Sequence, residues 1–533
     1  MNQVPSPRIR LPWSGSQPDL RITPFHVLFA LVLLLGIFAR IWEFGSLPPG
    51  LKQEEASAAV DAYTLYEFGV DRNGVSFPLV MIGGGSGVSA LYAYLLIPII
   101  AIAGLHPLAI RTPTLVAGIL SMPLVFLVGR RIAGRRFGLI GMFLLAISPW
   151  HILASRRGHE AGLLAFVFLI AFACLLKSTV NERWFLAAAS LFALCLYSYS
   201  PAYASVPIFL SLAVAVLGVT KRLRMRTILA GLLTFAILAA PIGLFLLINT
   251  LNLDTVRVGL FTIPRLPVQP RFESEAAFFD EHVLHTLKTN TLRLASLLWS
   301  QSDDLPANSV DPYGYFYRYT LPLAVIGAGL LFSPRKLGAS PERQLLLAWL
   351  AAAGSVGILA PANINREILI FIPLVLCVAA CLDWLGQRSK AALVAAVCAF
   401  LLGFALFTRD YHGESYRDEV NIAFYNGFLQ ALDYARHVGA NPICVTNEEV
   451  NEPYVFVLLL EKMDPAEYLP TVVYADPQAG FRHPTRLGRY RFGLRNCTNH
   501  SDGTVYVLEN EKPLSAPESY TVVNFGNYHV FIP

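Results

Sequence analysis

Charged residues are scarce in this chain. Of its 533 residues only 14% are Asp, Glu, Lys or Arg, whereas 55% are apolar and the mean hydropathy is +0.52. Because a soluble globular protein carries about a quarter charged residues, this composition excludes an ordinary water-soluble enzyme and predicts a membrane protein. A nucleic-acid-binding protein would gather its basic charge on a soluble domain, so that class is excluded as well.

The chain also has few cysteines, and most of them lie in apolar surroundings. Five of the seven cysteines lie inside apolar runs, namely Cys174, Cys195, Cys377, Cys381 and Cys398. In such runs a cysteine is expected to act as a small buried hydrophobic residue. Cys377 and Cys381 have no histidine or second cysteine pair nearby, so a zinc site is not expected there. Cys444 and Cys497 lie in the polar C-terminal part, where they would be free to pair if it faces an oxidising compartment; the sequence leaves their pairing open.

Nucleotide-binding and hydrolase signatures are missing. The chain has no G-x-x-x-x-G-K-[ST], no H-E-x-x-H and no G-x-S-x-G, and the GGGSG at 83–87 lacks the lysine of a phosphate-binding loop. We therefore expect the protein to use neither cytoplasmic ATP nor a sugar nucleotide.

The charge that is present divides the chain in two. Residues 409–533 hold 10 basic and 16 acidic residues, so the formal +5 of the whole chain divides into −6 there and +11 on the apolar part. The same segment combines a helical pattern at 422–437 with short β-rich runs such as TVVYA and TVYVL. We predict a small C-terminal α/β domain at 409–533, preceded by a polytopic α-helical membrane domain at 25–408.

Apolar runs predict about eleven transmembrane helices. The spans are 25–42, 111–129, 137–153, 161–176, 184–200, 203–219, 228–249, 319–332, 344–360, 367–385 and 391–408. No small-residue cleavage site follows the first run, so it is interpreted as a signal anchor.

The positive-inside rule orients these spans. If the ambiguous run 88–104, which contains Pro98, lies in the interface rather than spanning, 18 basic residues and three acidic ones fall on the side of the N-terminus. This predicts a protein of the cytoplasmic membrane with residues 1–24 in the cytoplasm. The loops 45–110 and 250–318 and the domain at 409–533 then face outward, where the chemistry is expected.

Two adjacent carboxylates, Glu54 and Glu55, follow the first span in LPPGLKQEEASAAVDAY. They are interpretable as a favourable start of a helix. A carboxylate at the membrane surface is, however, partly desolvated, which moves its pKa toward the range of a general base. Asp61, seven residues after Glu54, falls on a similar helical face and either supports such a site or is simply solvated.

Further charged residues lie at the outer ends of other spans. Glu160 follows Arg156, Arg157 and His159 after the third span, and a second carboxylate near Glu54 would suit acid–base chemistry or a divalent cation. Arg366 is the basic residue of a short outer loop, and a guanidinium there is suited to bidentate phosphate binding. Arg111 is a similar outer-edge cation; anchoring in lipid headgroups is the alternative for all of these arginines.

These segments resemble the polyprenyl-phosphate-sugar-dependent membrane glycosyltransferases of GT-C fold, especially bacterial relatives of protein O-mannosyltransferases and the lipid A aminoarabinose transferases. The resemblance covers most of 30–408 and rests on PPGLKQEEA, on the block from RTPTLVAG through GRRIAGRR to SRRGHEA, on LYSYSPAYASVP and on NINREILIFIP.

The resemblance implies an enzyme of the cell envelope that transfers a sugar, with inversion, from a polyprenyl-phosphate donor to a hydroxyl of a protein, lipid or glycan. Glu54 would be the general base, Glu55 would support it, and Glu160 would bind sugar or acceptor or position the base. Arg366, with Arg111 or Arg156, would bind the donor phosphate.

The chain departs from the family pattern in two places. Glu54 stands where relatives more often have Asp, and SQSDDLPANSV lacks the Arg and His that relatives often carry there. This leaves Asp303, Asp304 and Asn308 as candidates for donor contacts.

Two other classes share part of this pattern. A transporter or lipid-linked glycan flippase would show charges within spans and paired inverted repeats, and a scaffold would scatter the charged residues over separate faces. The enzyme hypothesis predicts that Glu54, Glu160 and Arg366 line one cavity.

Overall fold

The computed structural model describes residues 23–84, 86–267, 277, 282–303, 305–338, 340–439, 441–448, 450–477, 479, 482–497, 503–510 and 520–533. The N-terminal segment up to residue 22 and the candidate Asp304 lie outside these ranges.

Most of the described residues in the first half of the chain are helical. Its helices are α1 Pro24–Ile41, α2 Gln53–Phe68, α3 Leu91–Ala103, α4 Pro107–Ala133, α5 Arg135–Ala146, α6 Pro149–Ser155, α7 Glu160–Ser178, α8 Trp184–Cys195, α9 Ala202–Val219 and α10 Met225–Thr250. The second half continues with α11 Val283–Ser300, α12 Thr320–Leu331, α13 Pro334–Gly338, α14 Pro341–Leu359, α15 Ile368–Arg388, α16 Lys390–Tyr411, α17 Glu414–Ala423, α18 Phe428–Val438, α19 Pro453–Glu461 and α20 Pro465–Tyr468.

Seven of these helices, among the residues described, are long and apolar enough to cross a membrane: α1, α4, α7, α9, α10, α15 and α16. Helices α5 and α6 make an eighth span if they are counted together across their 63° bend. The chain is thus a multi-pass membrane protein. The remaining predicted spans coincide with α8 and α12, each of 12 residues, and with α14, which begins with the polar run 341–344. A 12-residue helix is about 18 Å long, shorter than the ~30 Å hydrocarbon core.

The bend between α5 and α6 has a clear cause in the sequence. Ser148 precedes Pro149 and adopts extended geometry (φ −69°, ψ 121°), as a residue before proline prefers. The carbonyls freed at the break are satisfied by other helices: Arg40 donates from Nη2 to Leu145 and from Nη1 to Ala146, both at 3.1 Å, and the Tyr317 hydroxyl donates to Ile147 at 2.7 Å. The broken helix is therefore anchored to α1 and to the segment before α12.

Helices α12 and α15 approach each other very closely at Gly327. A Cβ atom at this position would lie 1.7 Å from the carbonyl oxygen of Cys377. Small residues permit such backbone contact between membrane helices, where packing replaces the hydrophobic effect as the driving force.

The strands form two hairpins and one larger sheet. The hairpins are β1 Val80–Gly83 with β2 Ser86–Ser89, and β3 Val256–Val258 with β4 Phe261–Ile263. The other strands are β5 Ile443–Val445, β6 Val473–Tyr474, β7 Pro484–Leu487, β8 Tyr490–Phe492, β9 Val505–Leu508, β10 Thr521–Phe525 and β11 Tyr528–Ile532.

The seven C-terminal strands are ordered β10-β11-β9-β5-β8-β7-β6. The central strand β5 is parallel to β8 and β9, whereas the other pairs are antiparallel. All three residues of β5 are buried, as expected for a strand with parallel neighbours and both faces covered. A disulfide joins Cys444 in β5 to Cys497, with the Cα atoms 6.1 Å apart.

Helix α2 connects the two parts of the molecule. Ala56, Ala59 and Val60 belong to the hydrophobic core that includes Phe428 and Phe456 of the C-terminal part. Ala62 and Leu65 of the same helix pack instead into the core of the transmembrane helices. The position of α2 is therefore fixed from both sides.

Candidate functional site

A cavity of about 690 Å³ lies beside α2. Its polar lining is made of Glu54, Ser57, Asp61, Arg72, Ser89, His159, Glu160, Tyr199, Ser200, Tyr203, Thr250 and Arg366. The apolar lining includes Met81, Val88, Phe245, Leu246, Leu266, Val356 and Leu359. The mixture of an apolar wall with several converging polar groups is typical of a small-molecule site.

Helical periodicity places the residues of α2 in this wall. Glu54, Ser57 and Asp61 are spaced by three and four residues, so they form one stripe along the helix. Glu54 is exposed, whereas Asp61 is buried at 3% exposure. The two faces of α2 therefore have separate roles, since its alanines pack into the C-terminal core.

Glu54, Glu160 and Arg366 all line this single cavity, although they come from distant parts of the chain. Glu160 is the first residue of α7, and it interacts electrostatically with Ser89 and with Glu54. Arg366 lies just before α15 and donates from Nη1 to the carbonyl of Pro361 at 2.9 Å. The side chains that the sequence hypothesis combined thus share one lining.

Glu55 points away from the cavity and is bound to Arg111. Nε of Arg111 lies 2.7 Å from Oε1 of Glu55, and Nη2 lies 3.0 Å from Oε2. The same carboxylate accepts the backbone N–H of Gly158 at 2.7 Å. Glu55 therefore holds the turn that carries Glu160. Burial alone would raise the pKa of Glu55, but the charge and hydrogen bonds of Arg111, together with the backbone N–H groups of Gly158 and Lys52, lower it below its ordinary value.

Arg111 and Arg156, which the sequence suggested as contacts of the donor phosphate, lie outside the cavity that Glu54, Glu160 and Arg366 share. Both are completely buried and neither lines the cavity. Arg111 also donates to the carbonyls of Pro48 and Gly50. Arg156 donates to the carbonyls of Ala39, Arg40, Trp42 and Leu47, so it caps the C-terminal end of α1.

Arg157 and Asp303 organise the loop that carries Arg366. Arg157 donates from Nη2 to Oδ1 of Asn365 at 2.7 Å and from Nη1 to the carbonyl of Ala307 at 2.9 Å. Oδ2 of Asp303 accepts the backbone N–H of Ile364 at 3.1 Å and Nδ2 of Asn308 at 2.7 Å. Asp303 and Asn308 therefore support this loop and do not themselves line the cavity.

His159 is a helix cap as well as a lining residue. Its Nδ1 accepts the backbone N–H of Ala161 at 3.0 Å, which satisfies a free donor at the start of α7. Burial, and after it the charges of Arg157 and Lys52, lowers the pKa of His159 to about 3. The ring is neutral at physiological pH and adds no positive charge to the site.

Arg72 is the lining residue that sequence reasoning missed. It lies in the loop between α2 and β1, where Asp61 accepts its backbone N–H at 3.2 Å and its Nε lies 3.5 Å from the same Oδ1 atom. Asp61, which the sequence left undecided, is thus a buried partner in the cavity wall. The available signal was a basic residue in an outer loop, but nothing in the sequence indicates which way that loop folds.

Across the described part of the chain, no three His, Cys, Asp or Glu side chains converge in a way that could hold a metal ion.

Comparison with known proteins points to one class of enzyme. Residues 88–245 match the family described as dolichyl-phosphate-mannose-protein mannosyltransferase. No curated protein sequence matches the chain.

Two structures of ArnT from Cupriavidus metallidurans share the fold. The apo form has a TM-score of 0.55 and the form bound to undecaprenyl phosphate a TM-score of 0.54. Both are 14% identical to this chain, and the match covers 95% of this chain and 97% of ArnT.

The apo oligosaccharyltransferase of Archaeoglobus fulgidus has a TM-score of 0.50 at 14% identity, over 84% of this chain and 65% of that one. The chain spans 61–65% of the length of the oligosaccharyltransferase chains that it matches. The family match and the shared fold confirm the resemblance to membrane glycosyltransferases of GT-C fold.

Proposed function

We propose that the protein transfers a sugar from a polyprenyl-phosphate-linked donor to an acceptor hydroxyl on the outer face of the cytoplasmic membrane, with inversion at the anomeric carbon. The observation that carries this proposal is the common cavity of Glu54, Glu160 and Arg366. The family match and the ArnT-like fold support the donor class.

In the proposed reaction Glu54 is the general base. Its carboxylate takes the proton of the acceptor hydroxyl while the hydroxyl oxygen attacks the anomeric carbon. The bond from that carbon to the phosphate oxygen breaks on the opposite face, and the polyprenyl phosphate leaves with the electron pair. Glu54 is exposed within the lining and is therefore accessible to an acceptor.

Arg366 is proposed to stabilise the departing phosphate. Its charge gains most when negative charge develops on the leaving group, so it favours the transition state over the bound donor. Arg111 and Arg156 have no part in this revised assignment because both are buried outside the cavity. Glu160 binds a hydroxyl of the sugar or acceptor, and Glu55 supports it by holding Gly158.

The proposed topology has eleven spans, a cytoplasmic N-terminus and an extracytoplasmic α/β domain at 409–533 that helps to select the acceptor. In this topology the remaining three spans are the short helices α8 and α12 and the helix α14. The Cys444–Cys497 disulfide supports this sidedness, because disulfides persist in oxidising compartments.

The test uses the purified full chain in liposomes, radiolabelled polyprenyl-phosphate sugars and a cell-envelope fraction as acceptor. We expect label transfer by the wild type and a loss of about 10²–10⁴-fold in Glu54→Gln, the usual contribution of a general base. Glu67→Gln is the matched control, since Glu67 is an exposed carboxylate at the far end of α2.

Transfer by Glu54→Gln at the wild-type rate would eliminate the base assignment. If no donor yields transfer, the glycosyltransferase proposal fails. Movement of a fluorescent lipid-linked glycan between leaflets without transfer would favour the flippase alternative.

A further inference from the structure

One guanidinium in the cavity wall has unused hydrogen-bonding capacity. Arg72 is 3% exposed, yet its Nη1 has no hydrogen-bond partner among the described residues. A buried N–H group without a partner is costly, so such a group in the wall of a cavity points to a ligand that completes it.

The orientation of Arg72 is imposed from two sides. Asp61 of α2 holds its backbone N–H and lies 3.5 Å from its Nε. The Tyr468 hydroxyl, at the end of α20, donates to the carbonyl oxygen of Arg72. Nη2 is directed to the carbonyl of Ile82 in β1 at 3.5 Å. The orientation of the Arg72 side chain is therefore set jointly by α2, by β1 and by the C-terminal part of the chain.

The charges around Arg72 decide which ligand it suits. Burial alone would lower its pKa, but the charges of Asp61, Glu452 and Asp71 raise it above its ordinary value. Asp61 lies 3.5 Å from Nε of Arg72 and so balances its charge. A phosphate at this end of the cavity would therefore meet no net positive charge, whereas an uncharged hydroxyl does not need one.

The same end of the cavity is rich in hydrogen-bond acceptors. Glu160 interacts electrostatically with both Glu54 and Asp61, so three carboxylates share the region that Arg72 borders. Carboxylates accept hydrogen bonds from hydroxyl groups, and a guanidinium donates to hydroxyl or ring oxygens. This combination suits a polyol, in contrast to the cationic position at Arg366 on the 361–366 loop.

Resting on the function proposed above, we propose that Arg72 binds hydroxyl oxygens of the transferred sugar and that Asp61 and Tyr468 are positioning residues for it. Arg366 then recognises the phosphate of the donor and Arg72 its sugar. The C-terminal part of the chain thereby controls sugar recognition through Tyr468.

The experiment compares the affinity of the full chain, in detergent micelles, for bare undecaprenyl phosphate and for undecaprenyl phosphate carrying mannose, glucose or aminoarabinose. We expect the wild type to bind at least one sugar-bearing lipid more tightly than the bare lipid. In Arg72→Gln that advantage falls about tenfold or disappears, as for one hydrogen bond to a charged group, while bare-lipid affinity is unchanged. Asp61→Asn and Tyr468→Phe should reduce the same advantage in part.

Arg318→Gln is the matched control, because Arg318 also pairs with an aspartate, Asp311 at 3.1 Å, but is exposed outside the cavity. Arg72→Lys serves as the conservative variant if Arg72→Gln does not fold; we expect it to retain charge and folding but to lose part of the sugar-dependent affinity.

Equal loss of affinity for bare and sugar-bearing lipids in Arg72→Gln would overturn the proposal and make Arg72 a phosphate contact. An unchanged sugar-dependent advantage would also overturn it. If the wild type binds bare lipid but gains nothing from any sugar, this inference fails alone, whereas absence of binding to every lipid refutes the proposed function itself.

Discussion

Arg111 binds Glu55 in a bidentate pair, with Nε–Oε1 and Nη2–Oε2 distances of 2.7 and 3.0 Å. Both side chains are buried, whereas Glu54, one residue earlier, lies in the cavity wall. The two adjacent glutamates are therefore not equivalent. Glu55 stabilises the site and Glu54 is accessible for chemistry.

The first prediction separates these two roles. Glu55→Gln should lower the free energy of unfolding by about 3–5 kcal/mol, because it leaves the buried charge of Arg111 uncompensated. Glu54→Gln should change stability by less than about 1 kcal/mol. Unfolding of both variants in the same detergent tests this, and similar losses would contradict it.

The pH dependence of this pair follows from the lowered pKa of Glu55. The stabilisation is present above the pKa of an unfolded glutamate and is lost as the pH falls through the lower pKa of the folded state. The wild type should therefore lose stability in acid more steeply than Glu55→Gln.

The second prediction concerns phosphate binding. Arg366→Gln should weaken binding of bare undecaprenyl phosphate at least tenfold, because a charge-assisted hydrogen bond contributes about 1.5–3 kcal/mol. Arg156→Gln should leave that affinity unchanged in the fraction that folds, but should lower stability, since Arg156 holds the last carbonyls of α1. Lipid titration and thermal unfolding of both variants give the answer, and weaker lipid binding by folded Arg156→Gln would contradict the assignment.

The third prediction uses Asp71. Burial, and after it the charge of Asp61, raises the pKa of Asp71 to about 7. The folded state therefore holds a proton that the unfolded state releases near pH 4, so stability should fall as the pH rises from about 4 to 7 and then level off. Asp71→Asn should flatten this slope, since an amide oxygen can still accept the N–H groups of Asn73 and Val75. Identical pH profiles of unfolding temperature would refute the shift.

The fourth prediction counts thiols. The structure has five free cysteines and the Cys444–Cys497 disulfide. Maleimide labelling of the denatured, unreduced protein should add five groups, and labelling after reduction should add seven. Cys444→Ser should cost about 2–5 kcal/mol of stability in the C-terminal part, as for a native disulfide that closes a loop of this size. Seven labels before reduction would exclude the bridge.

Local sequence patterns predicted the membrane helices and the residues that share one face of a helix. The hydropathy of α1, α4, α7 and α15 indicated membrane helices, and the seven-residue spacing of Glu54 and Asp61 indicated a shared face. These features depend on residues close together in the chain, so a single sequence contains them.

Long-range contacts could not be predicted in this way. Arg111 and Arg366 look alike as cations at the outer ends of helices, and only Glu55, 56 residues before Arg111, makes the first a buried structural pair. Likewise, Arg72 reaches the cavity because Asp61 and Tyr468 hold its loop, and Tyr468 is 396 residues away.

The backbone contact at Gly327 links a distant position to the chemistry. Even a methyl group there would collide with the Cys377 carbonyl and force α12 and α15 apart. Because α15 begins two residues after Arg366, such a displacement of α15 would move the Arg366 side chain relative to Glu54. Gly327→Ala would then impair turnover although Gly327 does not line the cavity.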